Sequence, residues 1–414
     1  MEILGHDCIK LILFYIPQKQ LVKFRTVSKW FKNTIDNLFP ECSIYKACEK
    51  GYYINIINLL NKDYKRKKAL YYASKGGYRD IINLFFKNDI KSLNKALFGA
   101  CRNGDINMIK KFIDLGANDI HWALYHAAIN GNIENIKYLI SILENKSTLS
   151  GFFGACKSGN LELVKFFNNN SIFDIILGIY YATEKGHINV IDYLISLGVV
   201  YLDHALDIAC ARGNVELVKY FINKNVNVNY SAFYSACKSG DIEIVKLLNY
   251  KNDDWKCAIK GAIRGKNIDI IKMFNIDDYN PEELLYVSGL YGNLYMIKQL
   301  MLKCKKLDYA FIGACENGNM EIIKFLIDKN VDIENGFLSA CKNNNVEVIK
   351  FLIQCGAKNI IEGLKIACVE RQNKVAKYLI STNLNLINEF LYIACNSGNE
   401  KIIKYLTIKK GKFC

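Results

Sequence analysis

From residue 41 onward the hydrophobic positions recur in blocks. Each block brings a small residue, a large apolar one beside it, and an alanine three positions further on. With that alanine as anchor, the series runs Ala47, Ala73, Ala100, Ala127, Ala155, Ala182, Ala209, Ala236, Ala262, Ser288, Ala314, Ala340, Ala367 and Ala394, in steps of 26 to 28 residues. Small residues four apart share one helical face, so a neighbouring helix can approach closely. The large residue, as in Leu97, Leu124, Phe152, Leu206, Phe233, Phe311 and Leu391, fills the space beside them. Four residues after most anchors stands a glycine, followed by Asn, Asp or His in eleven of fourteen blocks. Glycine takes the left-handed conformation that ends a helix, and Asn or Asp caps the next one. Beyond the turn, apolar residues return at spacings of three and four, as in Val215, Val218, Phe221 and Ile222, the signature of a short amphipathic helix.

Two short antiparallel helices cannot bury their apolar faces without neighbours, so self-similarity at this period predicts stacking. The expected fold is all-α, a solenoid of about 14 helix-turn-helix repeats. Lys266, Asn344 and Arg371 stand where the turn glycine is usual, and a looser turn is expected there. The run of large apolar residue, alanine pair, glycine, Asn or His, paired β-branched residues, lysine and paired leucines, then LGAND at 115–119 or CGAKN at 355–359, resembles the ankyrin repeat over roughly residues 41–410. The units are shorter than the family's usual 33 or so residues, and its T-P-L-H opening is missing. The resemblance therefore implies a nearly all-helical variety without the projecting hairpin between repeats; another α-solenoid class is the alternative.

Residues 1–40 do not follow the repeat. Ile9, Ile12, Leu13 and Ile16 predict one helix ended by Pro17, and Leu21, Phe24, Val27 and Phe31 mark further short helical pieces. This segment resembles an F-box: Leu4, Asp7, Ile12, Tyr15, Ile16, Pro17, Leu21, Val27, Ser28 and Lys29 follow that family's pattern. Gly5 stands where the family has proline, Gln20 where it often has Asp, and Phe31 where its tryptophan normally lies. The resemblance implies that Leu4, Asp7, Ile9, Ile12, Pro17, Leu21, Val27 and Phe31 dock a Skp1-like linker of a cullin ubiquitin ligase. The other reading is a helical cap over the open end of the solenoid, which an exposed first repeat requires. Ankyrin units joined to an F-box in a lysine- and asparagine-rich chain resemble proteins of large DNA viruses, which implies a host-cell setting.

Composition changes this picture little. The 414 residues are 51% hydrophobic and 23% charged, as in a folded chain. No run of 18 apolar residues occurs, and the apolar stretch at 8–17 carries a lysine, so neither a membrane span nor a secretory signal is expected. Nine of the fifteen cysteines (Cys48, Cys101, Cys156, Cys210, Cys237, Cys315, Cys341, Cys368 and Cys395) occupy one slot just after the anchor, which marks a packing position and a reducing, cytoplasmic compartment. The net charge of +15 is nearly all lysine. An AT-rich genome would give the same bias, so charge says little about partners. The last four residues, 411–414, are a basic tail whose cysteine is last, not fourth from the end as a prenylation box requires.

Catalytic motifs are not found. His6, His121, His126, His187 and His204 form no metal-binding pattern, the cysteines lack close pairing, and no phosphate-binding glycine loop occurs. No enzyme activity, cofactor or metal is expected, and His187 sits in the capping slot.

Lysine follows the apolar pair of the second helix in eleven repeats, from Lys110 to Lys404. Such a ladder could track phosphates, but Glu162, Glu216, Glu243, Asp269, Glu321 and Glu347 precede it by three residues, so a mixed-sign solvated face is expected instead. The residues two after each anchor show no single sign. Nucleic acid is thus not an expected partner, and the chain is expected to be a monomer with a protein target on its surface. Aromatic residues two before the anchor recur in nine repeats and read first as inter-repeat packing. Those with an aromatic or His neighbour, Tyr71 with Tyr72, Tyr125 with His126 and Tyr180 with Tyr181, are the candidate exposed anchors for that target.

Overall fold

The structure, a computed structural model, describes residues 43–59, 65–86, 89–143, 147–167, 172–248, 255–383 and 386–410. The F-box-like residues Leu4, Asp7, Ile9, Ile12, Pro17, Leu21, Val27 and Phe31, and the tail 411–414, lie outside the described residues. The chain forms two compact units, Met1–Tyr201 and Leu202–Cys414.

In the first unit the helices that carry the anchors, called leading helices below, are Ile44–Lys50, Arg66–Gly76, Ile90–Asn103, Ile120–Asn130, Leu149–Ser158 and Ile172–Lys185. Each is followed by a return helix: Tyr53–Leu59, Arg79–Phe85, Ile106–Asp114, Ile133–Ser141, Leu161–Phe166 and Ile188–Ser196. In the second unit eight pairs follow the same order. The leading helices are Asp203–Ala211, Tyr230–Ser239, Trp255–Gly265, Pro281–Tyr291, Asp308–Asn317, Ile333–Lys342, Ile360–Val369 and Ile387–Asn396. The return helices there run from Val215–Asn223 to Glu400–Lys410, with Ile268–Ile271 cut to a single turn. No strand occurs among the described residues, in keeping with the missing hairpin.

Within each unit neighbouring leading helices pack closely, whereas return helices meet only sparingly. Small side chains explain the difference. A Cβ on Gly99 would lie 2.3 Å from the Tyr71 carbonyl oxygen, and one on Gly313 2.3 Å from that of Tyr286, so the backbones of successive leading helices touch. The large residues three before the anchor, among them Phe152, Phe233, Phe311 and Phe337, are fully buried in the seams this leaves. The repeated cysteine lies there too: a Cβ on Gly336 would meet the Phe311 ring and the Cys315 sulfur, and one on Gly363 the Phe337 ring and the Cys341 sulfur. Eight of the nine are buried, while Cys395, in the last described repeat, is exposed because no described leading helix follows it. Burial pushes the Cys341 thiol up to about 12 and that of Cys315 further still, so these thiols stay neutral. The slot is a packing position, as its spacing predicts.

The turns are more uniform than expected. Lys266, Asn344 and Arg371 adopt φ of 59°, 63° and 56°, the left-handed conformation glycine holds in the other repeats. The amide of Asn267 reaches the Ala262 carbonyl at 3.0 Å, much as that of Asn214 reaches Ala209 at 3.1 Å. These turns are therefore not looser. The same hydrogen bonds close them, and the non-glycine residue carries backbone strain instead.

The residue after the turn does more than cap. Asn160 and Asn214 do cap their helices, accepting from the amides of Leu163 and Leu217. Asn267 and Asn319 make no cap and instead donate to the final carbonyls of the preceding leading helix: Asn267 to Cys237 at 2.8 Å, Asn319 to Gly289 at 2.8 Å. Asn293, only 3% exposed, does both, donating to the Ile263 carbonyl at 3.0 Å while accepting from the Met296 amide at 3.0 Å. His187 likewise makes no cap; its Nε2 lies 3.2 Å from the Lys157 carbonyl. These side chains tie one repeat to the one before it.

Candidate functional site

The position one before the anchor decides the surface of the first unit. It alternates between bulk and none: Tyr72, Gly99, His126, Gly154, Tyr181. Each glycine lets a large ring of the following repeat reach back across it. His126 approaches Tyr71 at 5.5 Å between ring centres and stacks on Phe98 at 5.3 Å with 25° between planes. Tyr181 likewise reaches Tyr125 at 6.3 Å and Phe153 at 5.3 Å. Tyr45 joins through Tyr72 at 5.9 Å, and Trp122 lies edge-on to Tyr125 at 5.1 Å. The result is one aromatic seam crossing the six leading helices of the unit.

Of the six residues the sequence singles out, Tyr71, Tyr72, Tyr125, His126 and Tyr181 meet in this seam. None is fully exposed. Tyr125 is buried at 9% exposure, and the other five, Tyr180 included, are half-buried. Packing between repeats explains this, because a ring that bridges two helices shows solvent only an edge. Within the first unit the stripe two before the anchor thus packs between repeats, and its rings still form the floor of an open surface, whereas Tyr392, in the last described repeat, is exposed. Trp122, at 52% exposure, is the member that sequence reasoning missed. Its signal was available: it lies one turn before His126 on the same helical face.

Electrostatics keep the floor neutral. Burial, with the nearby Arg102, Lys95 and Lys157 adding to it, brings the His126 imidazole down to about 4, and its Nδ1 is buried without a hydrogen-bond partner. Burial likewise raises the Tyr71 and Tyr125 phenols. Ion pairs along the residues two after the anchor join successive repeats, Lys75 to Glu49 at 2.8 Å and Lys157 to Glu184 at 3.3 Å. A run of unpaired cations is therefore broken at both places.

The lysine ladder of the return helices is also engaged. Within helices, Lys165 pairs with Glu162 at 3.3 Å and Lys350 with Glu347 at 2.9 Å. Between repeats, Lys110 lies 5.3 Å over the Tyr138 ring, Lys298 5.8 Å over Phe325, Lys350 5.8 Å over Tyr378, and Lys377 5.3 Å over Tyr405. The aromatic follows the lysine of the next repeat, an offset visible in the sequence once the stacking register is known. Among the described residues no group of three or more His, Cys, Asp or Glu could hold a metal ion, and no helix is long and apolar enough to cross a membrane.

The model of the ankyrin-repeat family, built from three repeat copies, matches residues 152–231, 179–257, 206–281, 284–363 and 337–414. These matches span more than half of the chain, which belongs to the ankyrin-repeat family. No curated protein matches it. The repeats before residue 152 share the geometry of those the family model covers.

Proposed function

We propose that this ankyrin-repeat protein is a non-enzymatic scaffold that holds a protein partner, and that the leading-helix face of its first unit is where the partner sits. The observation that carries this reading is the aromatic seam across six consecutive helices, with the half-buried rings of Tyr45, Tyr71, Tyr72, His126, Phe153 and Tyr181 and the exposed Trp122 reaching solvent, set against return-helix lysines engaged by acids and rings. Tyrosine and tryptophan edges on a rigid support are favoured in protein interfaces. A cysteine that recurs once per repeat, buried in eight of nine slots, suits a reducing compartment such as the cytoplasm.

A finer reading rests on the resemblance of residues 1–40 to an F-box. In it the segment recruits a Skp1-like linker and a cullin ubiquitin ligase, and the solenoid presents the held protein for modification. Co-purification from a eukaryotic cell tests both levels, comparing the full chain with a full-length variant carrying Ile12→Asp and Leu21→Asp. Linker and cullin recovered only with the unsubstituted chain support the adaptor. Recovery of other partners with both proteins, and of linker and cullin with neither, leaves a scaffold whose first helices serve as a cap. Recovery of no protein partner with either contradicts the scaffold itself.

A further inference from the structure

A groove of ≈ 770 Å³ lies between the leading helices Arg66–Gly76 and Ile90–Asn103, lined by the Tyr71, Tyr72, Phe98 and His126 rings. Its floor is aromatic and uncharged, and its charged lining residues are all basic. Two of those cations are occupied: Arg66 donates to the Phe85 carbonyl at 3.1 Å, and Lys67 lies 3.7 Å from Asp89. Lys65, Lys68 and Lys95 are exposed and meet no carboxylate among the described residues; Lys68 and Lys95 rest over the Tyr45 and Phe98 rings, at 4.4 and 5.0 Å.

We propose that this groove is a docking cleft for an acidic peptide segment of the partner, which seats one aromatic or large aliphatic side chain against the exposed edges of Tyr71, Tyr72 and His126 and sets carboxylates against Lys65, Lys68 and Lys95. The inference rests on the scaffold reading and names the chemistry of its partner. A volume of this size takes a large side chain and its neighbours, and a neutral floor inside a basic rim matches an apolar anchor with acidic flanks. Because the imidazole is held neutral, the floor offers the apolar anchor an uncharged ring, and the attraction for acidic flanks falls to the lysine rim. Single-stranded nucleic acid is the competitor, since it also combines rings with negative charge. The observations favour the peptide. Base stacking needs open ring faces, whereas Phe98 is buried with His126 stacked on it and Lys95 over it. A phosphate track needs continued cations, whereas Lys75 beside the groove is already paired with Glu49.

The test is selection of a displayed random-peptide library on the full chain, followed by fluorescence anisotropy of the enriched peptides. The same anisotropy is run on the full-length double variant Lys68→Glu/Lys95→Glu and with an oligo(dT) strand. Both substitutions fall on exposed side chains, and an unchanged thermal unfolding midpoint shows that the fold is kept. Enriched peptides are expected to carry an aromatic or leucine within acidic flanks, and to bind the double variant at least tenfold more weakly. Enrichment of neutral or basic peptides, equal binding to the double variant, or no enrichment at all would overturn the proposal, as would oligo(dT) binding that outcompetes the peptides. If the groove fails in one of these ways while the co-purification still recovers partners with the double variant, the cleft is wrong and the scaffold stands.

Discussion

Asn293 shows how much one side chain can carry in a stacked fold. Its amide satisfies the Ile263 carbonyl of the preceding repeat while its oxygen caps its own helix. Asn293→Ala is expected to cost about 2 kcal/mol in urea unfolding, the sum of a lost cap and an unsatisfied buried carbonyl. Asn293→Asp keeps the capping oxygen but sets a carboxylate against that carbonyl, so it is expected to be no better; a neutral effect would mean that the cap alone matters. Strained turns give the opposite sign. Lys266→Gly and Arg371→Gly relieve a left-handed conformation that costs L-residues about 1–2 kcal/mol. After the loss of chain stiffness, each is expected to stabilise by up to about 1 kcal/mol. His126 supplies a pH dependence. Its folded pKa of about 4 lies below the ordinary histidine value near 6.5, so the unfolded chain binds the proton first as pH falls. The stability His126 contributes is whole above about pH 6.5 and is lost as pH falls through that value towards 4, at roughly 1 kcal/mol per pH unit. His126→Gln should flatten that slope in unfolding curves measured across the window.

Between elements the decisive quantity is the distance at which leading helices pass. Gly313 lies within a helix, where alanine would be the better helix former by about 1 kcal/mol. Yet a Cβ there would meet the Tyr286 carbonyl oxygen at 2.3 Å and the Leu290 amide nitrogen at 2.8 Å, both backbone atoms that cannot step aside. Gly313→Ala is therefore expected to destabilise by about 1–3 kcal/mol, the cost of overpacking, with a lower thermal midpoint as the readout. An unchanged or raised midpoint would mean that the helices slide apart freely. At this scale the helices, their turns and the small faces that meet were readable from spacing, because they depend on residues within four positions of one another. Contacts one repeat away were not. The bond of Asn267 to the repeat before it, the lysines over the rings of the next repeat and the half-burial of Tyr71 all depend on a stacking register that period alone does not state. One signal was present nonetheless. The slot after the turn favours Asn, Gln or His over Asp, a preference for a donor that capping by itself does not explain.

For the whole molecule, repetition supplies a rigid support and irregularity supplies the surface. The backbone pattern is nearly constant, while the alternation of Tyr72, Gly99, His126, Gly154 and Tyr181 occurs within the first unit. That local departure builds the seam and its basic-rimmed groove, and it is what fits the molecule to hold one partner chemistry. The most direct measurement is amide hydrogen exchange on the full chain, alone and with the partner that co-purifies. Slowed exchange is expected on the leading helices Arg66–Gly76, Ile90–Asn103 and Ile120–Asn130, with the return helices Arg79–Phe85, Ile106–Asp114 and Ile133–Ser141 unchanged. Protection confined to the return helices, or absent from the first unit, would contradict a partner seated on the aromatic face.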